Sequence, residues 1–245
     1  METTNTYSLK PTFGDSFGTG WRVMSDNFLR LFLVIIVMAI ATGPMKLFDF
    51  KFDLGDLHGL PWQLENAASI INWASVGMFA VFFGLIAMLY TLLVLPVLQY
   101  GTDMIFVQSV RKIKPDFELL IKGFWENYLH IILANLLVTA LVVLGFFALI
   151  IPGIIIACRL AFVSYIVMDK KLDPIEAVEL SWKLTRGHGW TIFFMGFVSF
   201  FIVLFGLILM IVGIFPAIIW VSSAFATLYQ SVLLEKEKPA EVAAA

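Results

Sequence analysis

The sequence predicts an all-α integral membrane protein, a polytopic bundle in which six transmembrane helices form three hairpins and amphipathic helices lie along the cytoplasmic surface. Of its 245 residues, 60% are hydrophobic and 14% are charged, against about 45–50% and about 25% in soluble domains. This composition leaves a water-soluble fold too little polar surface. It also excludes disorder, which requires low hydrophobicity and high net charge.

Six apolar segments are candidates to cross the hydrocarbon core, for which a helix needs about 20 residues. Two pairs of segments are separated by very short breaks, at Pro152-Gly153 and at Gly213 with the nearby Pro216. Proline and glycine favour tight turns, so these breaks predict helical hairpins. The six predicted spans are Phe28–Thr42 (which Trp21–Asn27 can extend), Ala67–Tyr100, Tyr128–Ile151, Gly153–Met168, Trp190–Val212 and Ile214–Leu234.

The distribution of basic residues predicts the orientation. Thirteen of the 16 Lys and Arg residues fall on one side of the predicted spans, counting Arg30 just inside the first span; two fall on the other side, and Arg159 lies within a span. The positive-inside rule therefore places both termini in the cytoplasm. The predicted parts are a cytoplasmic segment with an interfacial helix (1–27), a membrane domain (28–234) and a cytoplasmic tail (235–245).

A cleaved signal peptide is the alternative for the first span, because Ala39-Ile40-Ala41 fits the small-residue cleavage pattern. However, 27 mostly polar residues precede the apolar run, where a signal peptide has a short basic start. The sequence therefore favours a retained span.

A similar polar and aromatic segment precedes each predicted hairpin. The segments Phe13–Asn27, Phe117–Asn127 and Ile175–Gly189 each place Trp close to a basic residue and end in Asn or Gly. This pattern indicates three copies of an interfacial helix followed by a hairpin. Chance similarity stays open, because membrane boundaries favour Trp and Lys in any case.

The third segment has the clearest helix signals. Asp173 suits the N-cap, Pro174 the first helical position, and Glu176 the third residue after the cap, as in a capping box. Gly187 suits the position just beyond the C-terminus. The helix either presents a docking or headgroup surface or simply seats the bundle at the interface. Its other notable residues are the apolar Ile175, Val178 and Trp182, the cations Lys183 and Arg186, and Trp190 at the start of the next span.

Arg159 is the candidate contact for a lipid or anion. It lies about 9 Å from the Pro-Gly turn at 1.5 Å per residue, and a charge inside a span is by default a functional hypothesis. No Asp or Glu lies inside a predicted span, so no carboxylate partner is expected. Arg159 either contacts a lipid phosphate or cavity water, or it bonds carbonyl groups freed at Pro152 and is structural. Gly153, Ala157 and Ala161 form a stripe of small residues roughly opposite it, which lets another helix approach closely.

Few residues suggest catalytic or metal chemistry. The single cysteine, Cys158, excludes an internal disulfide and a cysteine-based zinc cluster. His58 lies near Asp53 and Asp56, where a solvated acidic loop is favoured over a weak metal site. The net charge of −2 provides no general basic field for nucleic acid. The sequence thus predicts no metal, no cofactor and no enzymatic activity.

The segment Ile151–Trp190 carries the features of a family resemblance. Between about Pro96 and Tyr229 the chain resembles a family of uncharacterised bacterial polytopic membrane proteins related to the membrane domain of glycerophosphoryl diester phosphodiesterases. The resemblance implies a helical protein of the bacterial cytoplasmic membrane. No soluble catalytic domain of that kind accompanies it here, so the enzymatic activity is not expected to carry over. The matching features are Pro152, Gly153, Arg159, Asp169, Pro174–Ala177, Ser181 and Gly187-His188, with weaker matches at Gly101 and at Pro216.

Two functional hypotheses follow. In the first, the protein is a non-enzymatic membrane scaffold that organises lipids or partner proteins, with membrane lipids, a protein partner or a second copy as its ligands and no nucleic acid. In the second, it is a transporter or permease-like subunit for a lipid-like or anionic solute, with Arg159 as the anion contact. A membrane hydrolase ranks third.

Overall fold

The computed structural model describes residues 9–43, 81–209 and 211–244. In this part of the chain every regular element is an α-helix, which confirms the predicted fold class. The acidic segment around His58 and residues 67–80 of the predicted second span lie outside the described residues. The helices are α1 (Phe13–Thr42), α2 (Leu95–Val110), α3 (Leu119–Glu126), α4 (Tyr128–Ala148), α5 (Ile150–Arg159), α6 (Val163–Lys170), α7 (Pro174–Leu184), α8 (Gly189–Ile208) and α9 (Ile211–Ala244).

Six helical segments of the described chain are long and apolar enough to cross a membrane, as a multi-pass protein requires. The second continues to Val110, ten residues beyond the predicted end, and the sixth continues to Glu237, into the predicted tail. The six segments are Phe13–Thr42, Val81–Val110, Tyr128–Ala148, Ile150–Lys170, Gly189–Ile208 and Gly213–Glu237.

The chain forms two compact units. The larger contains Met1–Met38 and Pro96–Ala245, and the smaller contains Ala39–Leu95. Within the smaller unit, the Tyr90 hydroxyl donates a 2.8 Å hydrogen bond to the carbonyl of Ala41. The candidate functional residues all lie in the larger unit.

The same backbone bend precedes three of the spans. Asn27 has φ −120° and ψ 19° inside α1, Asn127 has φ −134° and ψ 27° before α4, and His188 has φ −109° and ψ 7° before α8. Each bend separates a short preceding helix from a long apolar one. The shared geometry supports the threefold pattern predicted from the sequence.

The hairpin between α4 and α5 turns three residues earlier than predicted. The break falls at Leu149, which is extended with φ −170°, whereas Pro152 lies in the first turn of α5. Proline fits there because the first N–H groups of a helix have no intrahelical partner. Gly153 serves close packing instead of turning the chain, since a Cβ atom on it would lie 2.6 Å from Cγ of Phe146.

The hairpin between α8 and α9 repeats this arrangement. α8 ends at Ile208 and α9 begins at Ile211. The helix break was predicted at Gly213 and Pro216, but both residues lie within α9. A Cβ atom on Gly206 would lie 2.8 Å from the carbonyl oxygen of Gly213. The glycine therefore allows the two helices to approach closely next to the turn.

The interfacial helix α7 begins and ends almost as predicted, but its cap differs. Pro174 is its first residue, and Gly187 adopts a positive φ of 96° in the turn that follows it. Asp173 makes no side-chain capping bond, so the predicted capping box is wrong. Its carboxylate instead lies within hydrogen-bond distance of His130, 2.8 Å from the Nε2 atom. The buried face of α7 is formed by Ala177, Ser181 and Leu184.

Candidate functional site

Arg159 lies at an interruption of the fourth span. α5 ends at this residue and α6 begins at Val163, so residues 160–162 break the helix. The break leaves the Arg159 carbonyl to be satisfied by side chains. The hydroxyl of Ser181 donates to it at 2.8 Å and that of Thr185 at 3.3 Å. Two hydroxyls of α7 and the turn after it thus compensate the freed backbone group, as broken membrane helices require.

A mainly apolar cavity of about 510 Å³ lies beside Arg159. One wall comes from α5 and the other from the turn before α8 and from its first residues. Small-molecule sites have comparable volumes, about 300–1,000 Å³. The lining residues are Ile151, Ile154, Ile155, Cys158, Arg159, Gly187, Gly189, Trp190 and Phe193. Arg159 therefore lies level with the start of α8 and beside the segment that carries Lys183 and Arg186.

The Arg159 guanidinium has few partners. Its Cζ atom lies 5.7 Å from the centre of the Trp182 ring, which is cation–π geometry. Its Nη1 atom is buried, and no hydrogen-bond partner for it lies among the described residues. The described chain also offers it no salt bridge.

The small residues of α5 have different surroundings. Gly153 is buried against α4, and Ala157 is half-buried on the same helix. Ala161 packs against the core but lies in the break after α5. All three residues of the predicted stripe lie in the span Ile150–Lys170, with Ala161 two residues beyond the end of α5.

The other residues singled out by the sequence are divided between the cavity and the exposed surface. Trp190 forms its rim with 74% of its surface exposed, while Pro152 is close in sequence to the lining but is not part of it. Lys183 lies 3.7 Å from Glu179 on the same helix. Arg186 and Glu176 are exposed. The structure thus brings Trp182 and Trp190 to Arg159 and leaves the exposed α7 charges outside the cavity lining.

The sequence reasoning missed a second, fully connected polar cluster. Arg111, just after α2, makes two hydrogen bonds to the Asp169 carboxylate, at 2.6 and 2.7 Å. Its Nε atom donates to the Gln230 side chain at 2.8 Å. The Tyr229 hydroxyl donates to Asp169 at 2.9 Å. This cluster, Arg111–Asp169–Tyr229–Gln230, joins the ends of the second and fourth spans to the sixth.

The same cluster corrects the expectation that no carboxylate lies inside a span. Asp169 lies in Ile150–Lys170, and Asp103, which accepts a hydrogen bond from Ser164, lies in Val81–Val110. Both helices continue further than the apolar run alone indicates. The available signal was a lone acid at position 169 followed by two lysines at the end of an apolar run.

Electrostatics favour the charged form of Arg111 in its pair with Asp169. Burial lowers its pKa, but the hydrogen bonds and charge of Asp169 outweigh burial, and the net pKa is raised. The Asp169 side chain is 8% exposed and that of Arg111 is 24% exposed. Charge-assisted, bidentate pairs of this kind hold a fixed geometry. The cluster is thus suited to fastening helices.

Metal chemistry has no support in the described part of the chain, where no group of three or more His, Cys, Asp or Glu side chains could hold an ion. The arrangement that remains for ligand binding is the apolar cavity with Arg159 in its wall. No family model, no curated protein and no solved structure matches this chain.

Proposed function

We propose that this chain is a non-enzymatic membrane protein that organises lipids, and that the cavity beside Arg159 holds an anionic amphiphile. The observation that carries the proposal is a guanidinium with a buried, unpartnered nitrogen atom in the wall of an apolar cavity. A buried donor without a partner is costly. A bound anion removes that cost, and the apolar lining favours an anion attached to a hydrocarbon chain.

The location of the cavity supports a lipid ligand. Ile151, Ile155 and Trp190 are exposed on its rim, so the cavity opens on an apolar surface of the candidate spans. Aromatic residues such as Trp182 and Trp190 are typical of the headgroup level of membranes. An amphiphile could therefore enter sideways from the surrounding lipid.

We further propose that the protein lies in a bacterial cytoplasmic membrane with both termini in the cytoplasm, as the resemblance and the basic residues suggest. Ion pairs connect segments that the prediction places on the same side: Lys171 with Glu126 and Lys170 with Glu237, each at 2.8 Å. The test uses a Cys158→Ser background with a single cysteine at Ser25 or Asp56 and an impermeant thiol reagent. Labelling in intact cells is expected at position 56 and not at position 25; the opposite pattern would overturn the orientation.

The lipid-binding proposal is tested by native mass spectrometry of protein released from lipid nanodiscs. Wild type is expected to retain lipid, and Arg159→Gln to retain less while staying folded. Lys183→Gln is the matched control, because it removes a neighbouring cation that is 72% exposed and outside the cavity. Equal retention by wild type and Arg159→Gln contradicts the proposal. Retention of a protein partner instead of lipid would favour a partner-organising scaffold.

A second function, as a transporter or permease-like subunit for a lipid-like or anionic solute, is favoured by one specific observation. The fourth span is interrupted at residues 160–162, directly after Arg159, and transporters bind substrates at interrupted helices. Flux of a fluorescent anionic lipid in proteoliposomes separates the two functions. Protein-dependent flux that Arg159→Gln abolishes would favour transport, and lipid retention without flux would favour the organising role.

A further inference from the structure

We infer that the Arg159 cavity selects a phospholipid with a single net negative charge, carried by a phosphodiester, over zwitterionic and doubly charged lipids. This inference rests on the proposed function and names the ligand class of the same site. It depends on the charges and shape of the cavity lining.

The number of charged side chains in the cavity lining limits the charge of the ligand. Among the described residues that line the cavity, Arg159 is the single charged side chain, and none carries a carboxylate. One guanidinium balances one negative charge. A lipid with two phosphates would bring a second anion into an apolar wall without a cation, and burying an unpaired charge is strongly unfavourable.

Zwitterionic headgroups do not match the charge of the cavity lining. Their ammonium or choline group would lie near the Arg159 cation with no carboxylate to receive it. Aromatic faces can also hold such cations, but the Trp182 ring already faces Arg159. Trp190 is stacked with Phe194, with ring centres 5.9 Å apart. The two aromatic rings among the described lining residues, Trp190 and Phe193, share the cavity with Arg159, whose charge repels a headgroup cation.

The geometry of the guanidinium suits a phosphodiester. Its planar fork donates two parallel hydrogen bonds to a pair of phosphate oxygens. Nη1 is buried and has no partner among the described side chains and backbone groups, so its donors are unused, and the guanidinium would turn to present them to a phosphodiester in the cavity. The Trp182 ring lies 5.7 Å from the guanidinium Cζ atom.

The length of the apolar wall suits a ligand with a hydrocarbon chain. From Arg159 back to Ile151 the lining follows α5 for eight residues, about 12 Å at 1.5 Å per residue. Ile151, Ile155 and Phe193 line this stretch. The cavity thus has one charged end and one apolar end. That shape fits a lipid headgroup together with the first part of its acyl chain. A free anion has no hydrocarbon chain to pack against the apolar wall.

The experiment uses Cys158, the single cysteine of the chain, as a reporter within the cavity lining. The rate of thiol alkylation is measured in detergent-solubilised protein during titration with phosphatidylglycerol, phosphatidylcholine, phosphatidylethanolamine, cardiolipin or the soluble glycerophosphoglycerol. Phosphatidylglycerol is expected to protect Cys158 at concentrations about tenfold lower than either zwitterionic lipid, because it brings no headgroup cation close to the Arg159 charge. Cardiolipin is expected to protect less well than phosphatidylglycerol, and glycerophosphoglycerol is expected not to protect.

Variants separate the role of the charge from that of the fold. Arg159→Gln is expected to abolish the preference for phosphatidylglycerol, Arg159→Lys to retain part of it, and Lys183→Gln to retain all of it. Circular dichroism and the thermal midpoint report folding of each variant. If Arg159→Gln does not fold, the lipid series on wild type and Arg159→Lys still decides the selectivity.

The outcomes distinguish the inference from the proposed function. Equal protection by all lipids overturns the charge selectivity and leaves lipid binding in place. Protection by cardiolipin that equals or exceeds that by phosphatidylglycerol overturns the single-charge argument. Protection by glycerophosphoglycerol alone shows a site for a small anion and overturns both proposals. Absence of protection by every lipid also overturns both.

Discussion

Two arginines of this protein have opposite surroundings. Arg111 makes hydrogen bonds with Asp169 and Gln230 that use three of its donors. Arg159 faces Trp182 and has an unpartnered Nη1 atom among the described residues. The first lies just past a span and the second lies inside one. Arg111 is thus paired within the fold, while Arg159 keeps an unpartnered donor and lines the cavity of the proposed ligand site.

This contrast implies different consequences for the free energy of unfolding. The pairs around Arg111 connect segments 58 and 119 residues apart, so their loss affects packing between spans. The described contacts of the Arg159 guanidinium are limited to one aromatic ring. Mutations at the two positions should therefore separate stability from ligand binding.

The largest effect is expected for Arg111→Gln. The substitution leaves the largely buried Asp169 carboxylate without its cation, and breaking a buried pair from one side costs about 3–5 kcal/mol. The thermal midpoint in detergent should fall sharply. The double variant Arg111→Gln/Asp169→Asn should recover part of the loss, because it removes the uncompensated charge. A midpoint unchanged by the single substitution would contradict the fastening role.

A smaller loss is expected for Tyr229→Phe. The phenylalanine keeps the ring that stacks on Tyr165 at 5.1 Å but removes the O–H donor to Asp169. A hydrogen bond to a charged group contributes about 1.5–3 kcal/mol, and the remaining bonds from Arg111 place the expected loss at about 1.5 kcal/mol. Thermal unfolding of Tyr229→Phe with and without Arg111→Gln measures the coupling. Strict additivity of the two losses would show that the cluster does not act as a unit.

Arg159→Gln is expected to change stability least among the buried polar substitutions and to change lipid retention most. A cation–π contact contributes about 0.5–1 kcal/mol at a partly exposed site, so a loss below about 1 kcal/mol is expected. The measurement is the same thermal midpoint, taken in lipid-free detergent so that ligand linkage does not contribute. A loss as large as that of Arg111→Gln would make Arg159 a structural residue.

Most of the spans and the position of Arg159 could be predicted from the sequence, because apolar runs, basic segments and a charge within an apolar run depend on local composition. The predicted start of α7 at Pro174 is confirmed for the same reason. The turn at Leu149 was missed because Pro152 suits the first turn of a helix as well as a break. The interruption at 160–162 was missed because its stabilising hydroxyls come from Ser181 and Thr185, about 20 residues later.

The cluster around Arg111 could not be predicted, because its members belong to three different spans. In the sequence, Arg111 resembles the other cations of a basic segment, and Tyr229 resembles an aromatic residue at the membrane interface. Only packing of the spans places them within hydrogen-bond distance. Arg159 stood out because it is charged within an apolar run, but neither its cavity nor Trp182 is visible from spacing.

The smallest effect is expected at an exposed ion pair, which extends the comparison to a third cation. Lys171 lies 2.8 Å from Glu126, with side chains that are 59% and 40% exposed. Its hydrogen bond, with help from Lys122, lowers the pKa of Glu126. Because the folded pKa is depressed, the contribution to stability is present above the unfolded value of about 4.3 and is lost as pH falls through the folded value.

Glu126→Gln should therefore lower the thermal midpoint slightly at pH 7, and the difference from wild type should vanish as the pH is lowered past the folded pKa. Glu179→Gln, which removes the exposed partner of Lys183, is the matched control and should have no larger effect. Salt should weaken both differences, since exposed charges are screened over about 8 Å at physiological ionic strength. A difference that grows on acidification would show that Glu126 stabilises the fold by something other than its charge, and would contradict the assignment of this contact as an exposed ion pair.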